Sequence, residues 1–197
     1  MKASADAGVP VTIQWLPFFL DPTIPPEGRD LREHIANKYG RDAVYRFIDN
    51  PANPLEAAGR KVGISFNNSR RVINTTDCHR VMEWCYLNHP EKGDELMSQM
   101  FHAYFEEARD LSKKAELIKV VEDAGLDSVS IASLLDTDAL KAEVAQKERE
   151  YKRNLKISGV PFFIIENNSG GRPTAFSGAQ VRLFTFLFYY YVLKLLL

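Results

Sequence analysis

The first regular pattern along the chain is an alternation. In "VTIQWLPFFL", Val11, Ile13 and Trp15 fall on one face, and the pattern predicts a strand through Val11–Leu20 that ends near Pro17. The proline-rich loop "DPTIPPEGRD" follows and leads into a helix. There Leu31, Ile35 and Tyr39 recur at helical spacing, and Gly40 supplies a C-terminal stop. The middle of the chain keeps the helical period. "NTTDCHRVMEWCYL" opens on Asn74 as a cap with Asp77 three residues on, a capping-box arrangement with aspartate in the usual glutamate place. Leu96, Met97, Met100, Phe101, Tyr104 and Phe105 form an apolar stripe on the next helix. Ser112 is a candidate cap for a third, carrying Leu117, Val120 and Val121 and ending at Gly125. A fourth runs from about Thr137 to Leu155, with Leu140, Val144, Tyr151 and Leu155 inward and "KAEVAQKEREYKR" as its solvated face.

Strand character returns at "PFFIIEN". The turn-rich "NNSGGRP" and the short "TAFSGA" after it make Pro161 to Ala179 a predicted hairpin. The order is strand, helical block, hairpin and last segment, with no internal repeat. That last segment, Leu183 to Leu197, contains only Thr185 and Lys194 outside the apolar and aromatic types. It lacks the polar face of a surface helix and falls short of the ~20 apolar residues of a membrane span. It reads as a marginal tail anchor or as a non-native ending.

Composition narrows the classes. The chain has 197 residues, 45% hydrophobic and 26% charged, as in an ordinary globular protein of one domain or one domain with a large insertion. A formal net charge of −1 gives no electrostatic reason to expect nucleic acid or an anionic membrane surface as partner. "MKASADAGVP" has neither the apolar core of a signal peptide nor the arginines of a transit peptide. The two cysteines are too few for a disulfide framework, so the expected compartment is the reducing cytosol.

Candidate chemistry is sparse. Cys78 and Cys85 are seven apart on a predicted helix, which sets their Cα atoms ~10.5 Å apart. A disulfide needs less than ~7 Å. They are expected to be buried structural side chains. His79, beside Arg80 near a helix start, is expected to serve packing. His34, His89 and His102 have no partners at metal-ligand spacing, so no metal is expected. Neither a Gly-rich phosphate loop nor a nucleophile elbow occurs. Pro161 alone reads as a strand-start proline, which has no N–H to give a ladder. Only ~5% of X–Pro bonds in folded proteins are cis, so spacing alone does not favour that isomer.

The stretches "WLPFFLDPTIPPEG", "NTTDCHRVMEW", "FHAYFEEARDLS", "AGLD", "GVPFFII" and "FSGAQ" change this reading. In these, across roughly residues 11–180, the chain resembles the DsbA-like thioredoxin family, especially its FrnE-like branch of thiol–disulfide oxidoreductases. The resemblance implies an α/β fold, a thioredoxin-like fold of DsbA type with a large all-helical insertion between strands. It divides the chain into a partial thioredoxin-like strand and loop (1–29), a helical insertion (30–156), a hairpin (157–180) and the apolar tail (181–197). It implies a cis Val160–Pro161 bond, with Val160 and Pro161 docking a thiol- or disulfide-containing substrate, protein or small molecule, and no cofactor.

The family's Cys-x-x-Cys pair at the start of its first helix is not in this sequence. The expectation is therefore an incomplete fold, a truncated form inactive as a dithiol oxidoreductase, whose strands would expose unpaired edges. Two alternatives share the scaffold. One is a relative of kappa-class glutathione transferases and 2-hydroxychromene-2-carboxylate isomerases, which would bind glutathione. The other is a non-catalytic peptide-binding protein.

Overall fold

The computed structural model describes residues 11–166 and 172–178. The chain divides into two compact units, Met1–Glu148 and Arg149–Leu197. The apolar tail, residues 181–197, lies outside the described residues.

The first unit is almost wholly helical. A two-residue strand β1 (Arg29–Asp30) leads into α1 (Leu31–Tyr39). Asp30 caps that helix, its carboxylate accepting from the Glu33 backbone N–H at 3.0 Å. Gly40 ends it at φ 85°, a conformation that a side chain would disfavour. Leu31 is buried as the spacing predicts, whereas Tyr39 is exposed and packs its ring edge-on to Phe47. The sequence reading assigned no element to the next stretch. It holds α2 (Arg41–Val44), a π-helical turn (Tyr45–Asp49) and α3 (Pro54–Lys61), the last capped by Asn53 with Pro54 in its first turn. Strand β2 (Arg71–Val72) pairs antiparallel with β1.

Four helices then build the core: α4 (Thr76–Asn88), α5 (Gly93–Phe105), α6 (Lys114–Asp123) and α7 (Ser128–Leu135). Val81 and Cys85 of α4, Leu96 of α5, Leu117, Val120 and Val121 of α6 and Ile131 of α7 are fully buried together. Each such aliphatic side chain contributes ~1.5–3 kcal/mol by leaving water. Asn74 does act at the start of α4, accepting from the Thr76 N–H at 3.0 Å while its amide donates to the Ile24 carbonyl. Ser112 does not cap α6. Its hydroxyl donates to Asp110, and the helix starts after Lys113, which is extended. Helix α7 was not foreseen, although Asp127 caps it by accepting from the Val129 and Ser130 N–H groups. The last helix, α8 (Lys141–Leu155), begins later than Thr137 because Leu140 sits at φ 63° and the chain turns there. Among the described residues no helix is long and apolar enough to cross a membrane.

The predicted strand at Val11–Leu20 is not formed. Among the described residues the segment pairs with no strand, and side chains of the helices accept from its N–H groups instead. The Trp15 N–H donates to the Tyr86 hydroxyl at 2.7 Å, its indole donates to Asp94 at 3.0 Å, and the Phe19 N–H donates to Glu148 at 3.3 Å. Alternation marks a chain that presents two different faces, and a side-chain-held strap does so as well as a strand.

In the second unit, β3 (Phe162–Ile165) and β4 (Thr174–Ser177) form the predicted antiparallel hairpin, Phe162 opposite Ser177 and Ile165 opposite Thr174.

Candidate functional site

Two places carry the sequence-predicted residues, one in each unit. In the second, Val160 and Pro161 immediately precede β3. The Val160–Pro161 bond is cis, and Val160 is about half exposed. The Pro161 carbonyl accepts from the Gly178 N–H at 2.9 Å, which extends the β3–β4 ladder by one pair to the turn. Proline fits this position because the strand asks its carbonyl, and not an N–H, for the bond. Phe163 and Phe176, directly opposite each other, stack at 4.8 Å and stiffen the hairpin behind the turn.

The other place is α4. Cys78 and Cys85 lie on this continuous helix, two turns apart, and both thiols are free. Cys85 is fully buried and its thiol faces the His89 carbonyl at 3.5 Å. Cys78 is partly buried, with Leu111 O at 4.0 Å. Burial, with the Asp77 carboxylate acting in the same direction, pushes the Cys78 thiol up to about 12. Burial likewise pushes Cys85 up to about 11. The thiolate is the nucleophile in disulfide exchange, so both groups are held in the unreactive form at neutral pH.

The two residues after Cys78 are fully employed. The His79 Nε2–H donates to the Phe18 carbonyl at 3.3 Å, and the ring meets Phe19 edge-on at 5.2 Å. Burial holds its pKa below the usual histidine value. His79 thus pins the Phe18–Phe19 strap to α4. Arg80 is 3% exposed. Its Nε donates to Ala139 O at 2.8 Å and its Nη2 to Leu134 O and Thr137 O at 2.7 and 2.5 Å, while Nη1 pairs with Asp77 at 2.7 Å. The guanidinium therefore ties together the last turn of α7, through Leu134 O, and the loop that follows it, through Thr137 O and Ala139 O, where a positive charge also suits the helix dipole. The sequence reading expected packing at this His–Arg pair, without these partners.

The spacing missed Tyr86, Asp94 and Glu148, the side chains that hold the strap. The one signal for them is Gly93, where a Cβ would lie 2.3 Å from the Tyr86 ring. Of the remaining histidines, His102 meets Glu106 at 3.0 Å and Glu107 at 3.5 Å, His89 packs against Trp84, and His34 lines an open surface depression with Asp21, Arg29, Asn37 and Lys38. Among the described residues no three His, Cys, Asp or Glu side chains converge as a metal site.

A helical body built on α4–α7, a cis-proline turn and an antiparallel hairpin are the parts of one known class. A family model for the DSBA-like thioredoxin domain matches residues 2–189, and the chain belongs to that family. Its fold is the DsbA-like thioredoxin fold, rich in helix with small sheets. The chain is similar to the protein YwbO of Bacillus subtilis (strain 168), at 22% identity over 158 residues, 80% of this chain and 74% of that one. It is also similar to the crystal structure of a probable DsbA oxidoreductase from Streptomyces coelicolor. There the TM-score is 0.69 and the identity 25%, covering 83% of this chain and 67% of the other.

Proposed function

We propose that the chain is a FrnE-like member of the DsbA-like thiol–disulfide oxidoreductases whose 197 residues, without the family's redox dithiol, do not exchange disulfides. The observation that carries this reading is the state of its thiols. The 197 residues hold only Cys78 and Cys85, both on α4, too far apart to pair and both strongly protonated. They are structural side chains. What remains of the family's machinery is the turn at Val160 and Pro161, which would receive a thiol- or disulfide-containing substrate beside the half-exposed Val160. Two unpaired thiols suit a reducing compartment, and we place the protein in the cytosol.

The test is disulfide exchange by the 197-residue chain, followed as insulin reduction with dithiothreitol and as oxidation of a dithiol peptide. The expected result is a rate equal to that of the uncatalysed mixture, unchanged in Cys78→Ser and Cys85→Ser. Catalysed exchange that either serine abolished would refute the reading.

A further inference from the structure

The loop that leads into α1 is held from several sides. Asp21 accepts from the Thr23 N–H and hydroxyl at 2.9 and 2.6 Å, and Arg29 Nη2 donates to Thr23 O at 2.8 Å. The Asn74 amide donates to Ile24 O at 2.7 Å, Arg71 donates to Glu27 O at 3.2 Å, and Arg29 pairs with Val72 in the β1–β2 ladder. This loop and α1 border an open depression of about 350 Å³, lined by Asp21, Arg29, His34, Asn37 and Lys38. His34, Asn37 and Lys38 stand at i, i+3 and i+4, so one face of α1 supplies the second wall.

The lining is rich in donors and poor in free acceptors. Arg29 and Lys38 bring positive charge, and His34 and Asn37 add ring and amide N–H groups. The lining carboxylate, Asp21, is engaged by both Thr23 donors and lies 4.0 Å from Arg29. Asp30 is committed to the Glu33 N–H as the cap of α1. Among the described residues Lys38 pairs with no carboxylate, its ammonium lying over the Tyr39 ring at 5.3 Å, and the His34 and Asn37 side chains make no hydrogen bond. Residues 1–10, 167–171 and 179–197 bring a single acidic side chain, Asp6, so nearly every carboxylate that could offset this charge is among the described residues.

We propose that the depression binds a small phosphate-bearing ligand, free phosphate or the head group of a phosphate monoester. Phosphate is an acceptor-only dianion whose terminal oxygens take donors from several directions, which is what Arg29, His34, Asn37 and Lys38 offer from two walls. Arg29 is already held through Thr23 O, so little of its ordering is left to binding. The volume lies at the lower end of the ~300–1,000 Å³ of small-molecule sites, which leaves room for the rest of a small ester.

The test is a titration of the full 197-residue chain with inorganic phosphate at constant ionic strength, read from backbone amide shifts by NMR, with chloride as the control. The expected result is saturable shifts centred on Arg29, His34, Asn37 and Lys38, with a Kd of about 1 mM or tighter. Lys38→Gln removes one charged donor and should weaken binding about tenfold. Asp21→Asn keeps an oxygen for Thr23 but removes the opposing charge, and should tighten binding about threefold. Circular dichroism of both variants establishes that they are folded. Glycerol phosphate separates the two sources: tighter binding than the free ion assigns the site to a monoester, weaker binding to phosphate itself. Shifts that never saturate, shifts that chloride reproduces, shifts centred elsewhere on the surface, or an affinity that Lys38→Gln leaves unchanged would each overturn the inference.

Discussion

Replacing Arg80 by leucine separates what a buried arginine does from what its volume does. Leucine keeps apolar bulk within α4 but removes every donor. Three carbonyls are affected. Leu134 O retains the Thr137 hydroxyl at 2.9 Å, whereas Thr137 O and Ala139 O lose the guanidinium bonds of 2.5 and 2.8 Å. An orphaned buried acceptor costs ~1–3 kcal/mol, and the lower end applies here because Thr137 and Ala139 are exposed residues. The Asp77 partner is half exposed and its loss adds little. The sum is about 2–3 kcal/mol, a substantial share of the ~5–15 kcal/mol that holds a domain folded. For a chain of this size each kcal/mol lowers Tm by ~2–4 °C, so Arg80→Leu should melt roughly 4–12 °C below the wild type in a circular dichroism scan at 222 nm. Arg80→Lys should recover only part of this, because one ammonium cannot span three carbonyls in a planar fork. A leucine variant within ~2 °C of the wild type would refute the reasoning, since it would mean that the end of α7 satisfies itself.

Three further outcomes follow from the same contacts. His79 has a pKa held low by burial, so the unfolded chain takes up a proton that the folded chain resists, and stability rises with pH. Its contribution is complete above about pH 6.5 and is lost as the pH falls below that, so His79→Gln should lose less Tm than the wild type between pH 7 and 5. Equal losses would contradict this. With pKa values of about 12 and 11, Cys78 and Cys85 have thiolate fractions of roughly 10⁻⁵ and 10⁻⁴ at pH 7. Ellman's reagent should therefore find both thiols only in denaturant, and labelling of either in the native protein at the rate of a free thiol would overturn their assignment. Gly93→Ala drives a methyl into the Tyr86 ring and should cost ~1–3 kcal/mol while loosening the Tyr86–Trp15 bond. A red shift in tryptophan emission together with a lower Tm would show it, and an unchanged Tm would show that the ring moves aside freely.

The sequence was legible where local chemistry and tertiary packing agree. Helix α1 with Gly40 after it, the apolar stripe of α5, and the β3–β4 hairpin around a turn-rich segment all have periods or stops that the structure keeps. Element boundaries slipped where one residue takes an unusual conformation, as Leu140 does at φ 63°. Helix α7 was missed although Asp127 and Ile131 mark it, because its eight residues give scarcely two turns of pattern. The Val11–Trp15 segment was misread because alternation reports two faces without naming the partner. A strand needs a neighbour in the sheet, and here Tyr86 and Asp94 from helices more than seventy residues away act as that neighbour. At the candidate site the thiol spacing was legible from the helical rise alone. The role of Arg80 was not, since its carbonyl partners lie 54–59 residues along the chain and carry no side-chain signature.

The most direct test of the central claim is disulfide exchange by the 197-residue chain, followed as insulin reduction by dithiothreitol with and without the protein. The account predicts the rate of the uncatalysed mixture, because Cys78 and Cys85 are held as protonated thiols on one helix. Catalysed exchange that Cys78→Ser or Cys85→Ser abolished would contradict it.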